Sequence, residues 1–162
     1  MNKKMNRRSA FRDKLCPLPE VKYGIETSMK FLLSCAKQCQ FISFIEFNRF
    51  YKIPHQEWPL VYQLLYRHLN LVLKYCFEHN YPPLSVIVVA GDMKISGEMT
   101  QRQITRLSKA LSKYQDKSSC PTDEARDMND LHKLQNLCFD SAPNIIISKK
   151  YNLTQFNENI RP

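Results

Sequence analysis

The sequence predicts an α+β domain in which helices surround a small antiparallel sheet, and three observations carry that expectation. A long stretch from Trp58 holds apolar residues at helical spacing, Leu84 to Ala90 is β-branched and nearly continuous, and Ser43-Phe44-Ile45-Glu46 has the form of a helix start. Helix, strand and turn therefore follow one another inside a single folding unit.

The chain has 162 residues, enough for one domain with a sizeable core. Its 24 Lys and Arg against 15 Asp and Glu leave a net charge of +9. That balance favours a polyanionic partner, with nucleic acid ahead of an anionic membrane surface. No apolar run spans a bilayer, and the basic N-terminus lacks the hydrophobic segment of a signal peptide. A cytoplasmic protein with no membrane association is expected. Cysteines at 16, 35, 39, 76, 120 and 138 form no CxxC pair, and the histidines at 55, 68, 79 and 132 are scattered. Buried reduced thiols fit this pattern, and neither a metal nor a cofactor is expected.

Residues 1–22 read as a flexible basic arm, carrying Lys3, Lys4, Arg7, Arg8, Arg12 and Lys14 ahead of Pro17 and Pro19. The domain itself is expected over residues 23–148. A first helix covers Thr27 to Cys39, with Met29, Leu32, Leu33 and Ala36 on one side. The second runs from Ser43 to Lys52, opened by a capping box of Ser43 and Glu46 and burying Phe44, Phe47 and Phe50 or Tyr51.

The third helix is the organising element. Pro59 suits a first helical turn, where its missing donor costs nothing. Val61, Leu64, Leu65, Leu69, Val72, Tyr75 and Cys76 make an apolar stripe, which Leu60, Leu71, Leu73 and Phe77 widen to most of the circumference. What remains polar is one line, Gln63, Arg67, Asn70, Lys74 and Glu78, sharing a face. Asn80 closes the helix and Pro82-Pro83 prevents its continuation. Leu84 to Ala90 then reads as a covered strand, Gly91-Asp92 as a turn, and Lys94 to Gly97 as a short return strand.

A fourth helix is expected over residues 100–117. Ile104, Leu107, Ala110, Leu111 and Tyr114 dock it, and Arg102, Arg106, Lys109, Lys113 and Lys117 form a basic stripe. A fifth is expected over residues 122–139, with Thr122-Asp123-Glu124 in its first turn and Met128, Leu131, Leu134, Leu137 and Cys138 as its core face. Residues 144–148 are a candidate third strand, and 149–162 a polar tail. No internal repeat is visible.

Three helices followed by a hairpin is the element order of a winged helix-turn-helix, here over residues 23–99. In such a core the third helix enters a DNA groove and the hairpin is the wing. The expected function is non-enzymatic binding of duplex DNA. Gln63, Arg67, Asn70 and Lys74 would make groove or phosphate contacts, Lys94 would act from the wing, and Arg102, Arg106, Lys109 and Lys113 would supply non-specific attraction.

Two alternatives have their own residues. A metal-dependent nuclease would use Asp92 and Lys94 at the end of the strand, with Glu78 or Glu57 as a further acid. An interaction module, such as an inhibitor or adaptor, would turn the basic face toward an acidic protein. Salt dependence separates the last from DNA binding.

Residues 42–97 resemble the C-terminal DNA-binding domain of alkylguanine-DNA alkyltransferases and their non-enzymatic alkyltransferase-like relatives. Ile42-Ser43-Phe44-Ile45-Glu46 is similar to the segment opening that family's helix-turn-helix, Arg67 matches its recognition-helix arginine, and Pro83 to Val89 with Ser96-Gly97 follow its strand and hairpin in outline. Ser85 or a neighbour falls where the family has its reactive cysteine, and Phe44 replaces its tyrosine. The resemblance implies the fold and DNA contact without alkyl transfer. The same region is similar to a group of small bacterial and phage proteins.

Overall fold

The structure, a computed structural model, describes residues 23–114 and 125–147. The arm over 1–22, Lys117, the expected helix start at Thr122, Ser148 and the tail over 149–162 lie outside them. The fold is α+β and mostly helical. Its long elements are α1 (Ile25–Lys37), α2 (Phe44–Phe50), α3 (Trp58–Glu78), α4 (Gln101–Ser112) and α5 (Met128–Ser141). Two short strands, β1 (Ile42–Ser43) and β2 (Val88–Val89), pair in parallel, with Ile42 opposite Val88 and Ser43 opposite Val89.

Each helix has a local reason to begin or end where it does. The α1 helix buries Met29, Leu32, Leu33 and Ala36 and stops at Lys37, because Cys39 turns into the left-handed region at φ 53°. Ser43 caps α2 through the expected reciprocal box: its Oγ accepts from the Glu46 amide at 3.1 Å, and Glu46 Oε2 accepts from the Ser43 amide at 2.9 Å. At the end of α3, Asn80 takes φ 54°. The Tyr81 amide then donates to the Cys76 carbonyl at 2.7 Å and the Asn80 amide to the Phe77 carbonyl at 3.2 Å, a Schellman closure. A second capping box, Thr100 with Gln103, starts α4.

The core face of α3 is narrower than its composition predicts. Val61, Leu65, Leu69, Val72, Leu73, Cys76 and Phe77 are buried, but Leu60 is exposed and Leu64, Leu71 and Tyr75 are only half-buried. The eighth buried residue of α3 is His68.

The antiparallel hairpin expected over 84–97 does not form. Leu84–Ile87 is a 3-10 turn directly after Pro82-Pro83, held by amide bonds from Leu84 to the Pro82 carbonyl at 2.8 Å and from Val86 to the Pro83 carbonyl at 2.9 Å. Its apolar, β-branched composition reflects burial, because α1, α3 and α5 all pack on this turn. Strand geometry lasts only for Val88 and Val89, whose partner is β1. Beyond them Gly91–Met93 is another 3-10 turn, and the Gly97 amide bonds back to the Met93 carbonyl at 2.8 Å, so the segment coils where a wing was expected.

Two further expectations are corrected in the C-terminal part. The fifth helix starts at Met128, where Asp127 caps it by accepting from the Asp130 amide at 2.9 Å, and residues 125–127 are not helical. The third strand is absent from 144–147: a 3-10 turn over Ala142–Asn144 leads into extended but unpaired chain, with Ile145 buried and Ile146 exposed.

Gln135 on α5 ties these irregular pieces together. Its buried amide nitrogen donates to the carbonyls of Val86 at 3.2 Å and Gly97 at 2.7 Å, and its oxygen accepts from His132 Nδ1 at 3.0 Å. Gly97 sits at φ 72°, where a Cβ would meet the Phe41 ring at 2.3 Å. Glycine is required there on both counts.

Candidate nucleic-acid interface

The polar line of α3 faces α4 across an open cleft. Gln63, Arg67 and Asn70 stand on one side, all exposed, and Arg106, Lys109 and Lys113 on the other. The two sets converge because their spacings, four and three on α3 and three and four on α4, each follow one helical face. The cleft encloses about 420 Å³. Its floor comes from Leu69, Leu73, Val88, Met99, Leu107 and Ala110, with Ser85 at its edge.

An aromatic cluster closes one end. Tyr62 and Tyr66 meet edge to face with ring centroids 4.9 Å apart, and Phe44 lies 5.9 Å from the first and 5.6 Å from the second. The Arg106 guanidinium stands over the Tyr66 ring at 5.6 Å. Tyr62 keeps 42% of its surface exposed. Partial burial and the neighbouring Tyr66 push its phenol up to about 12, against the opposing pull of Arg106 and Arg102. The hydroxyl thus stays protonated and donates to Tyr66 at 3.3 Å. Past these rings lies a recess of about 460 Å³ that shares Tyr62, Gln63, Tyr66, Gln103 and Arg106 with the cleft and adds Asp92 and Arg102.

Charge around the cleft is one-sided. Among the described residues no carboxylate lines it, and none lies within ion-pair distance of Arg67, Arg106, Lys109 or Lys113. Elsewhere Lys30 pairs with Glu26, Lys133 and Arg126 with Asp130, and Lys74 with Glu78 at 3.5 Å. Lys94 is bound to Glu46. Burial pushes the Glu46 carboxyl up, but hydrogen bonds from Lys94 and Ser43 outweigh it and hold the group below its ordinary value.

The structure therefore brings together Gln63, Arg67, Asn70, Arg106, Lys109 and Lys113, with Arg102 in the adjoining recess. Lys74 and Lys94 line neither cavity, and each is held by its glutamate. Asp92 shares the recess with Tyr62, whereas Glu78 lies a further ~24 Å along α3, so these two acids do not reach one metal or phosphate. Among the described residues no three His, Cys, Asp or Glu side chains gather into a possible metal site.

Sequence reasoning missed the aromatic residues of the cleft. A visible signal existed in Tyr62-Gln63 and Tyr66-Arg67, the same aromatic-polar step repeated one helical turn apart. Tyr62 and Tyr66 fall beside the polar line and not on the apolar stripe.

A second polar cluster is closed to ligands. Ser28, which is wholly buried, contacts His68 Nε2 at 2.6 Å and the Tyr51 hydroxyl at 2.5 Å, and Tyr23 stacks on the imidazole with centroids 5.0 Å apart. A serine beside a histidine resembles a nucleophile and its base, yet no substrate can reach this serine. The cluster joins α1, α2 and α3 inside the protein.

No family model, curated protein or solved structure matches the chain.

Proposed function

We propose that the protein binds DNA through the cleft between α3 and α4, without carrying out chemistry on it. The observation that carries this reading is that Arg67, Arg106, Lys109 and Lys113 line one concavity with no carboxylate among the described residues to neutralise them. Like charges gathered without counter-charges repel one another and destabilise the fold slightly, a cost that a polyanion relieves. In this reading α1, α2 and α3 take the part of the three helices of a winged helix-turn-helix, and α4 flanks the third helix where a wing would stand.

The reading is of a binder because Asp92 and Glu78 are apart, no three possible metal ligands gather among the described residues, and Lys94 is engaged by Glu46. The aromatic residues favour nucleic acid over an acidic peptide, since bases supply flat faces for Tyr62 and Tyr66 to meet.

The test is anisotropy of a labelled oligonucleotide titrated with protein at several salt concentrations. Arg67→Ala and Lys109→Ala should each weaken binding several-fold and flatten the salt dependence, as loss of a phosphate contact does. Lys133→Ala, on α5 and paired with Asp130, is the control. Equal losses in all three variants would reduce the effect to bulk charge and defeat the proposal.

A further inference from the structure

Resting on the reading above, we infer that the cleft takes a single strand, with an unpaired base stacked on Tyr62, and not an intact duplex. Shape is the first ground. A recognition helix must protrude to enter a major groove about 12 Å wide, but the polar face of α3 is one wall of a concavity whose other wall is α4. The cleft, at about 420 Å³, and its adjoining recess, at about 460 Å³, have room for nucleotides and not for a double helix.

The second ground is the alternation of chemistry along the track. Arg102, Arg106, Lys109 and Lys113 follow one face of α4, and from first to last they cover ~17 Å of helix axis, the length of about five stacked nucleotides. Aromatic rings lie beside this row of cations. Both Tyr62 and Tyr66 line the two cavities, but Tyr66 is already faced by Arg106, so Tyr62, whose ring keeps more exposed surface beside its edge-to-face neighbours, is the platform. Gln63 and Gln103 beside it carry both donors and acceptors for the edge of a base. A backbone-tracking cationic row with a stacking ring is how sequence-tolerant single-strand grooves are built.

The experiment compares three labelled probes on the whole protein, each of roughly twelve nucleotides. They are an oligothymidylate strand, a duplex of the same length, and an abasic strand that keeps the phosphates. The inference expects the oligothymidylate to bind about tenfold more tightly than the other two. Tyr62→Ala should lose about tenfold on the oligothymidylate with an unchanged salt slope, and Tyr62→Phe should keep the affinity. Equal or tighter binding of duplex, or equal binding of the abasic strand, overturns the single-strand assignment and leaves DNA binding standing. If none of the probes binds, both readings fall. The probe comparison uses the unaltered chain, so it decides the matter even if the Tyr62→Ala variant does not fold.

Discussion

Nε2 of His68 on α3 lies 2.6 Å from Oγ of Ser28 on α1, and the direction of the proton between them is fixed by what lies beyond. Tyr51 spends its hydroxyl proton on the Gly24 carbonyl at 2.9 Å, so it accepts from Ser28, and Ser28 in turn accepts from His68. The imidazole is therefore the neutral tautomer carrying its proton on Nε2, buried under Tyr23.

This arrangement makes stability depend on pH. Burial pulls the His68 imidazole from its ordinary 6.5 down to about 4, so the unfolded chain accepts a proton that the folded chain refuses. Stability is full above about pH 6.5 and falls by ~3 kcal/mol as pH drops to about 4. Urea unfolding midpoints measured across that window should show the descent, and His68→Gln should flatten it. An unchanged descent in the variant would assign the proton elsewhere. Glu46 and Asp130, both held below their ordinary carboxyl values, lose their contributions only in more acid solution.

Gly97→Ala should cost about 3 kcal/mol, since it combines left-handed backbone with a side chain driven into the Phe41 ring. A shorter residue at position 41 relieves the clash but not the backbone, so Phe41→Leu in the same chain should restore part of the loss. Thermal or urea unfolding reads both. No rescue at all would mean that the backbone alone sets the cost.

Gln135→Leu keeps the volume of the side chain and removes its amide. The Val86 and Gly97 carbonyls then lose their donor in the interior, with an expected loss of about 1–3 kcal/mol. Amide hydrogen exchange should accelerate most around residues 84–97, and a uniform change over the whole chain would contradict this role.

Ser43→Ala removes a cap worth about 1 kcal/mol. It also frees Glu46, so the pairing with Lys94 should loosen. A double-mutant cycle with Lys94→Ala measures the coupling; strictly additive losses would show that cap and ion pair are independent.

Tyr62→Phe should remove one tyrosine titration near 12, where the phenol of Tyr23, pushed up by burial, accounts for another. Alkaline difference absorbance of tyrosinate checks it, and an undiminished amplitude near pH 12 in the variant would assign that titration to another phenol.

Periodicity made much of this molecule legible. The capping box at Ser43, the span of α3, its closure at Asn80 and the cationic face of α4 were all stated by local chemistry that the tertiary fold leaves in place. The run from Leu84 to Ala90 was not legible, because β-branched residues wanted in an interior look the same whether they are hydrogen-bonded as a strand or coiled among helices. The parallel partner of Val88 stands ahead of α2 and α3 in the chain, and no local pattern announces so distant a pairing. His68 was hidden for another reason: a histidine within an apolar stripe is ambiguous until Ser28 and Tyr23 are seen around it. The cationic side of the cleft was visible and its aromatic side was overlooked.

The pairing of β1 with β2 has a consequence for the order in which this molecule comes together. Two residues on each side give little return for closing a loop that contains the whole of α2 and α3, so the bridge has no reason to form before helix docking has already drawn its ends near. Phe44 follows one strand directly and Val88 belongs to the other, and both border the cleft. During refolding, the helices should be complete before that cavity acquires its final outline, which makes it a late product of assembly and the first feature to blur when the chain begins to open.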